Sequence, residues 1–112
     1  WVRVEEADGA GAIGARSVLS AVARIRPGEI FLVEGGPHLM GDFFAEKCLD
    51  ELFLTLSPQV AGRDESAERP GFVAGKRFAP QDPRWGTLTA VKRGGDFLFL
   101  RYAFPAPFLT SL

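Results

Sequence analysis

Two segments of the chain carry apolar residues at the three- and four-residue spacing of an amphipathic helix. The first runs from Ala15 to Arg26 and stops at Pro27-Gly28, a pair that ends helices. The second runs from Pro37 to Cys48, with Pro37 suited to the first helical position and Lys47 to the last turn. The pattern therefore predicts two helices separated by about ten residues of other structure.

Short apolar runs flank these helices and predict strands. Trp1 to Glu5 alternates apolar and charged residues, which indicates a short or edge strand. Residues 30–33 and 52–56 are nearly continuous apolar runs, typical of strands buried on both faces of a parallel sheet. With the two helices, these runs predict a βαβαβ unit over residues 1–58.

The second half of the chain has a different pattern. Residues 61–86 are rich in glycine, proline and charged residues without periodicity, which predicts a long surface loop. Thr87–Arg93 and Asp96–Tyr102 are strand-like and are separated by Gly94-Gly95, which favours a two-residue hairpin turn. We therefore expect an α/β fold with a mostly parallel sheet and a C-terminal antiparallel hairpin over residues 87–103.

Composition narrows the class of protein. The 112 residues suit a single domain, and a formal net charge of −1 disfavours a nucleic-acid partner. Cys48 and His38 are the only residues of their types, so a Cys/His zinc site cannot be assembled, and the lone cysteine favours a cytoplasmic location. No apolar run reaches the length of a membrane span, so no membrane partner is expected.

The segment between the second predicted strand and the second helix carries the candidate chemistry. Glu34 follows the apolar run, and Gly35-Gly36-Pro37 leads into the helix. If Gly36 is the N-cap, the N–H groups of His38 and of the next residue have no acceptor within the helix. A phosphate at the helix start could accept hydrogen bonds from both groups. The alternative is that the two glycines only make a tight turn. A carboxylate is costly to bury, so Glu34 is expected to face a cleft.

Two segments of this sequence resemble a known protein family. Leu32-Val33-Glu34-Gly35-Gly36-Pro37-His38-Leu39, followed by the segment from Leu49 to Pro58, resembles the pyrimidine reductase family of riboflavin biosynthesis, the C-terminal domain of the bifunctional deaminase-reductase. The resemblance implies a dihydrofolate reductase-like three-layer α/β/α fold and NADPH-dependent reduction of 5-amino-6-(5-phosphoribosylamino)uracil or a related small molecule. It also implies that Gly35, Gly36, Pro37, His38 and Leu39 contact the cofactor, and that Glu34 faces the junction of nicotinamide and substrate.

Family members are substantially longer than this chain, and their extra half precedes the position of Trp1. We therefore expect the chain to be the C-terminal part of one reductase domain, inactive by itself and homodimeric. Two alternatives remain: a non-catalytic oligomerisation or binding module of the same fold, and a dihydrofolate or pterin reductase.

Three other polar residues, Asp50, Glu51 and Cys48, are expected to have structural rather than catalytic roles. Asp50 and Glu51 resemble a catalytic carboxylate pair, but adjacent residues entering a strand point in opposite directions, which favours a solvated strand entry. Cys48 lies on the apolar side of the second predicted helix and is expected to be a small core residue.

Overall fold

The computed structural model describes residues 13–28, 30–66, 68 and 71–104. The predicted strand over residues 1–5 lies outside these ranges. The elements are helices α1 (Ala15–Ile25) and α2 (Pro37–Ala45) and strands β1 (Glu51–Leu56), β2 (Thr87–Gly94) and β3 (Phe97–Ala103). None of the described helices is long and apolar enough to cross a membrane.

Both predicted helices are confirmed, and α2 ends earlier than predicted. Lys47 takes a left-handed backbone conformation with φ of 54°. The N–H groups of Lys47 and Cys48 donate to the carbonyls of Phe44 and Phe43, at 3.2 and 2.9 Å. This pattern is a Schellman-type stop, which satisfies carbonyls of the last turn and directs the chain towards β1.

Helix α1 receives its N-terminal cap from α2 rather than from its own sequence. Its N-cap residue, Gly14, has no capping side chain. Instead the N–H of Ala15 donates to the carboxylate of Glu46, which follows α2. The Arg16 guanidinium donates to the Glu46 carbonyl at 3.3 Å. A carboxylate at a helix N-terminus satisfies a free donor and complements the helix dipole, so Glu46 fastens the two helices together.

The three strands form one antiparallel sheet in the order β1-β3-β2. The predicted C-terminal hairpin is confirmed, but its turn lies one residue later than expected, at Gly95-Asp96. Gly95 has φ of 59°, a conformation that glycine adopts without strain. A bulge between Leu88 and Ala90 shifts the pairing of β2 with β3 by one residue.

The predicted strand over residues 30–33 is not formed, and this part of the prediction is wrong. Ile30 is 97% exposed and Leu32 is 78% exposed. β1 also differs from the expected strand, because β3 is its one partner among the described strands and Phe53 is 67% exposed. No parallel strand pair occurs among the described residues. A doubly buried strand requires neighbours on both edges and cover on both faces, and the described residues supply neither.

Among the described residues, the buried apolar side chains lie in α2 and at the start of α1: Ala15, Met40, Phe43 and Phe44. The Phe44 ring makes edge contacts with Phe72 of the long loop at 5.7 Å and with Phe104, just beyond β3, at 5.1 Å. The N–H of Phe104 donates to the carbonyl of Asp50 at 2.9 Å. Phe104 therefore connects the sheet to the helices at one corner.

The predicted loop over residues 61–86 contains no helix or strand in its described part. Arg84, near its end, donates to the carbonyls of Phe44 and Ala45 at 3.0 and 3.4 Å. These are acceptors in the last turn of α2, where a cation is favoured. The loop is thus attached to the end of α2.

Candidate functional site

The turn before α2 has the geometry predicted from the sequence. Gly36 is the N-cap, with extended backbone at φ −72° and ψ 175°, and Pro37 is the first helical residue. The N–H of Met40 makes the first helical hydrogen bond to the Gly36 carbonyl, at 3.1 Å. The preceding donors, the N–H groups of His38 and Leu39, have no acceptor within the helix, and no side chain caps it.

The two glycines of this turn have different surroundings. A Cβ on Gly35 would lie 2.1 Å from Cδ2 of Leu39, so Gly35 allows the Leu39 side chain to fold over the turn. A Cβ on Gly36 would meet no atom within 4 Å. Gly35 is therefore required by packing inside the protein, whereas the space above Gly36 is open to a bound group.

A short part of the long loop, residues 73–76, lies against the first turns of α2. The N–H of Ala74 donates to the Pro37 carbonyl at 3.1 Å. A Cβ on Gly41 would lie 2.8 Å from the Ala74 carbonyl oxygen, so the loop approaches the helix backbone closely at that glycine. Gly75, with φ of 76°, lies beside the His38 ring. Sequence reasoning missed this contact, although a glycine inside α2 was a usable signal.

The electrostatics of the turn favour an anion. The first turn of α2 contains no acidic residue. Lys76, on the loop segment, lies 3.9 Å from Asp42 of α2, and both side chains are partly exposed. Glu34 is exposed and precedes the turn by one residue. The turn therefore presents helix donors and a helix dipole to solvent, with one carboxylate beside them.

The adjacent carboxylates Asp50 and Glu51 do not form a catalytic pair. Glu51 is in β1 and accepts a hydrogen bond from Nε of Arg101 at 3.1 Å. The Arg101 guanidinium also lies over the Phe53 ring at 5.2 Å. Asp50 is exposed and uses its carbonyl for the bond from Phe104. The interpretation of these residues as an exposed strand entry fits this arrangement.

Cys48 is half-buried after α2, with its Sγ 3.5 Å from the Glu46 carbonyl oxygen. Burial raises the pKa of the Cys48 thiol above its ordinary value. The Arg16 charge lowers this pKa in part, and the charges of Glu46 and Asp50 raise it further. Cys48 is therefore a poorly ionised thiol rather than an activated nucleophile.

We expect Cys48 to react more slowly with Ellman's reagent than free cysteine at the same mildly alkaline pH, because the thiolate is the reacting form. The midpoint of its pH–rate profile should lie above that of free cysteine, and Arg16→Ala should move it higher still. As Cys48 is the only cysteine, the absorbance change reports this thiol alone. A rate equal to that of free cysteine would contradict the assignment.

Comparison with known proteins adds no further constraint on this site. No protein-family model matches the chain, and no curated protein matches it. Among the described residues, no group of three or more His, Cys, Asp or Glu side chains could hold a metal ion. The open turn at Gly36 is therefore the candidate site that the described geometry supports best.

Proposed function

We propose that the chain belongs to an NADPH-dependent reductase of the riboflavin-biosynthesis type, and that the turn before α2 holds the cofactor's pyrophosphate. The observation that carries this proposal is the open N-terminus of α2 at Gly36. The segment Glu34–Leu39 resembles the pyrimidine reductase family, and from this resemblance we take NADPH as the ligand.

The turn suits a phosphate for four separate reasons. The N–H groups of His38 and Leu39 are free of helical acceptors, and the helix dipole favours negative charge at this end. The absence of a side chain at Gly36 leaves open space at the N-cap. No acidic residue in the first turn of α2 repels the anion. Backbone donors, an open approach and a favourable dipole are the features of phosphate sites at helix starts.

When bound, NADPH would provide a hydride for a carbonyl or imine carbon of the substrate, and a proton from solvent would complete the reduction. The residues of this chain would act by positioning. Gly36, His38 and Leu39 would hold the pyrophosphate through the backbone, and Leu39 would keep its place over Gly35. Glu34, exposed at the edge of the turn, would orient the junction of nicotinamide and substrate through hydrogen bonds. The proposal includes a cytoplasmic location and a small phosphorylated substrate.

The proposal also includes the dihydrofolate reductase-like three-layer fold. The antiparallel pairing of β3 with β1 is compatible with an added hairpin at one end of a larger sheet.

Substitution of Gly36 tests cofactor binding. We expect NADPH titrated into the chain to give a saturable change in nicotinamide fluorescence. Gly36→Val should raise the Kd at least tenfold, which corresponds to about 1.4 kcal/mol. Gly36→Ser should weaken binding too, because a serine N-cap would itself accept the free N–H groups, while it maintains or increases helix stability.

The matched control is Gly71→Val, since a Cβ there meets only the Val73 carbonyl at 3.8 Å. It should leave the Kd unchanged. Circular dichroism melting curves of all the variants separate loss of binding from loss of folding. The cofactor assignment would be wrong if wild-type chain gave no saturable response, or if Gly36→Ser bound NADPH as tightly as wild type.

A further inference from the structure

A short segment of the long loop, residues 73–76, lies along the first two turns of α2, and we name it the strap. The N–H of Ala74 donates to the carbonyl of Pro37, the first residue of α2, at 3.1 Å. Nζ of Lys76 lies 3.9 Å from Oδ1 of Asp42. The strap therefore contacts α2 both at the turn whose N–H groups have no helical acceptor and at the turn that follows.

Two glycines allow the strap to approach α2 so closely. Gly41 is buried inside α2, and a Cβ there would lie 2.8 Å from the carbonyl oxygen of Ala74 and 3.3 Å from Cγ1 of Val73. Gly75, in the strap, has φ of 76°, and a Cβ there would lie 3.0 Å from Cδ2 of His38. The contact at Gly41 is with backbone, which cannot rotate away as a side chain can. A side chain at Gly41 would therefore displace the strap.

The sequence of α2 gives its own first turn little support. The helix has nine residues, and helices of this length are marginal in isolation. Glycine, the residue at position 41, is among the least favourable residues in a helix interior. The N-cap residue Gly36 has no side chain that could accept a hydrogen bond from the first turn. Contacts from outside the helix must supply the missing stabilisation, and the strap makes such contacts at Pro37, His38 and Gly41.

We propose that the strap is a positioning element for the turn before α2. By fixing the first turn in helical geometry, it keeps the N–H groups of His38 and Leu39 arranged for a pyrophosphate beside Gly36. The strap itself does not contact the pyrophosphate. Docking of the strap and binding at the turn are then linked, and each favours the other by the same factor. This inference rests on the proposed function, from which it takes pyrophosphate as the bound group.

Gly41→Ala tests the strap, because it has opposite effects on the helix and on the strap. Alanine is the better helix former, so a substitution that acted on α2 alone would stabilise the helix and would not weaken binding. Displacement of the strap should instead raise the Kd for inorganic pyrophosphate and for NADPH by about fivefold or more. It should also speed hydrogen exchange at the Ala74 N–H by about tenfold or more. Isothermal titration calorimetry and nuclear magnetic resonance measure the two effects in the full chain.

The matched control is Gly71→Ala, just before the strap, where a Cβ would meet only the Val73 carbonyl oxygen, at 3.8 Å. It should change neither the Kd nor the exchange rate at Ala74. A second variant, Ala74→Pro, removes the donor to Pro37 and leaves the sequence of α2 unchanged. It should raise the Kd as Gly41→Ala does, and it decides the test if circular dichroism shows that Gly41→Ala does not fold.

The wild-type chain provides a readout that a merely structural contact would not give. Because the linkage is reciprocal, saturating pyrophosphate should slow exchange at the Ala74 N–H by about the same factor, fivefold or more. The proposal is overturned if pyrophosphate leaves this exchange rate unchanged, or if neither pyrophosphate nor NADPH binds the wild-type chain.

Two further outcomes separate the strap from the proposed reductase function. Equal binding of NADPH to wild type and to folded Gly41→Ala would overturn the strap and leave the cofactor assignment intact. Binding of pyrophosphate that Gly41→Ala weakens, in a chain that does not bind NADPH, would support the strap and contradict the cofactor assignment.

Discussion

Phe43→Ala is expected to lower the free energy of unfolding by about 3–5 kcal/mol, the largest effect of any single substitution in this chain. Phe43 is 2% exposed and has the largest fully buried side chain among the described residues. Truncation removes its transfer free energy and leaves a cavity beside the other buried side chains of α2, Met40 and Phe44. Because few other apolar side chains are buried among residues 13–28, 30–66, 68 and 71–104, the helices should lose their fixed packing. Urea denaturation followed by far-ultraviolet circular dichroism measures the loss.

The matched control for Phe43→Ala is Phe53→Ala, since Phe53 has the same side chain but is 67% exposed in β1. This substitution should cost less than about 1 kcal/mol, because it removes mainly the ring that lies beneath the Arg101 guanidinium. Equal losses for the two substitutions would contradict the assignment of the core to α2.

Arg84→Met is expected to lower the free energy of unfolding by about 2–3 kcal/mol. The Arg84 side chain is 17% exposed and donates to the carbonyls of Phe44 and Ala45. It also donates to the Asp82 carboxylate at 2.6 Å and lies over the Phe78 ring at 4.7 Å. Methionine retains much of the aliphatic volume but none of the donors, so the carbonyls at the end of α2 lose their partner. Urea denaturation quantifies the change.

Arg84→Lys is the control that separates charge from geometry. Lysine keeps the positive charge near the end of α2 but cannot reproduce the planar set of guanidinium donors, so it should recover less than half of the lost stability. The hydrogen bond from Arg84, together with its charge, holds the pKa of Asp82 below its ordinary value. In Arg84→Met, a nuclear magnetic resonance titration should show this pKa returning upward. Unchanged stability and an unchanged Asp82 pKa would contradict the assigned contacts.

The elements that depend on nearby residues are predictable from the sequence. The apolar stripe of α1, the Gly36-Pro37 start of α2 and the glycine-containing hairpin are all encoded within a few residues of where they form. Local periodicity and backbone preferences are sufficient for such elements, because their hydrogen bonds close over short distances along the chain. The small errors, the hairpin turn and the end of α2, are shifts of a few residues at element ends.

The parts of the site that come from distant residues were not predictable in this way. The contact of Ala74 with Pro37, the cap of α1 by Glu46 and the attachment of Arg84 to α2 each join residues more than 30 positions apart. A polar residue in an aperiodic segment has many possible partners, and only the folded chain selects one. The strand expected over residues 30–33 failed for a related reason, since its apolar pattern requires neighbours that no local rule supplies.

By itself, the sequence determined the two helices, the hairpin and a helix start with free backbone donors, because each depends on the conformational preferences of adjacent residues. Only the tertiary structure decided that the Leu39 side chain fills the space beside Gly35 while the space beside Gly36 stays open, and that the leucines of β1 and β3 lie on one face of the sheet. Those properties depend on which side chains meet across the fold and on the register of the sheet, where a shift of one residue moves every side chain to the other face.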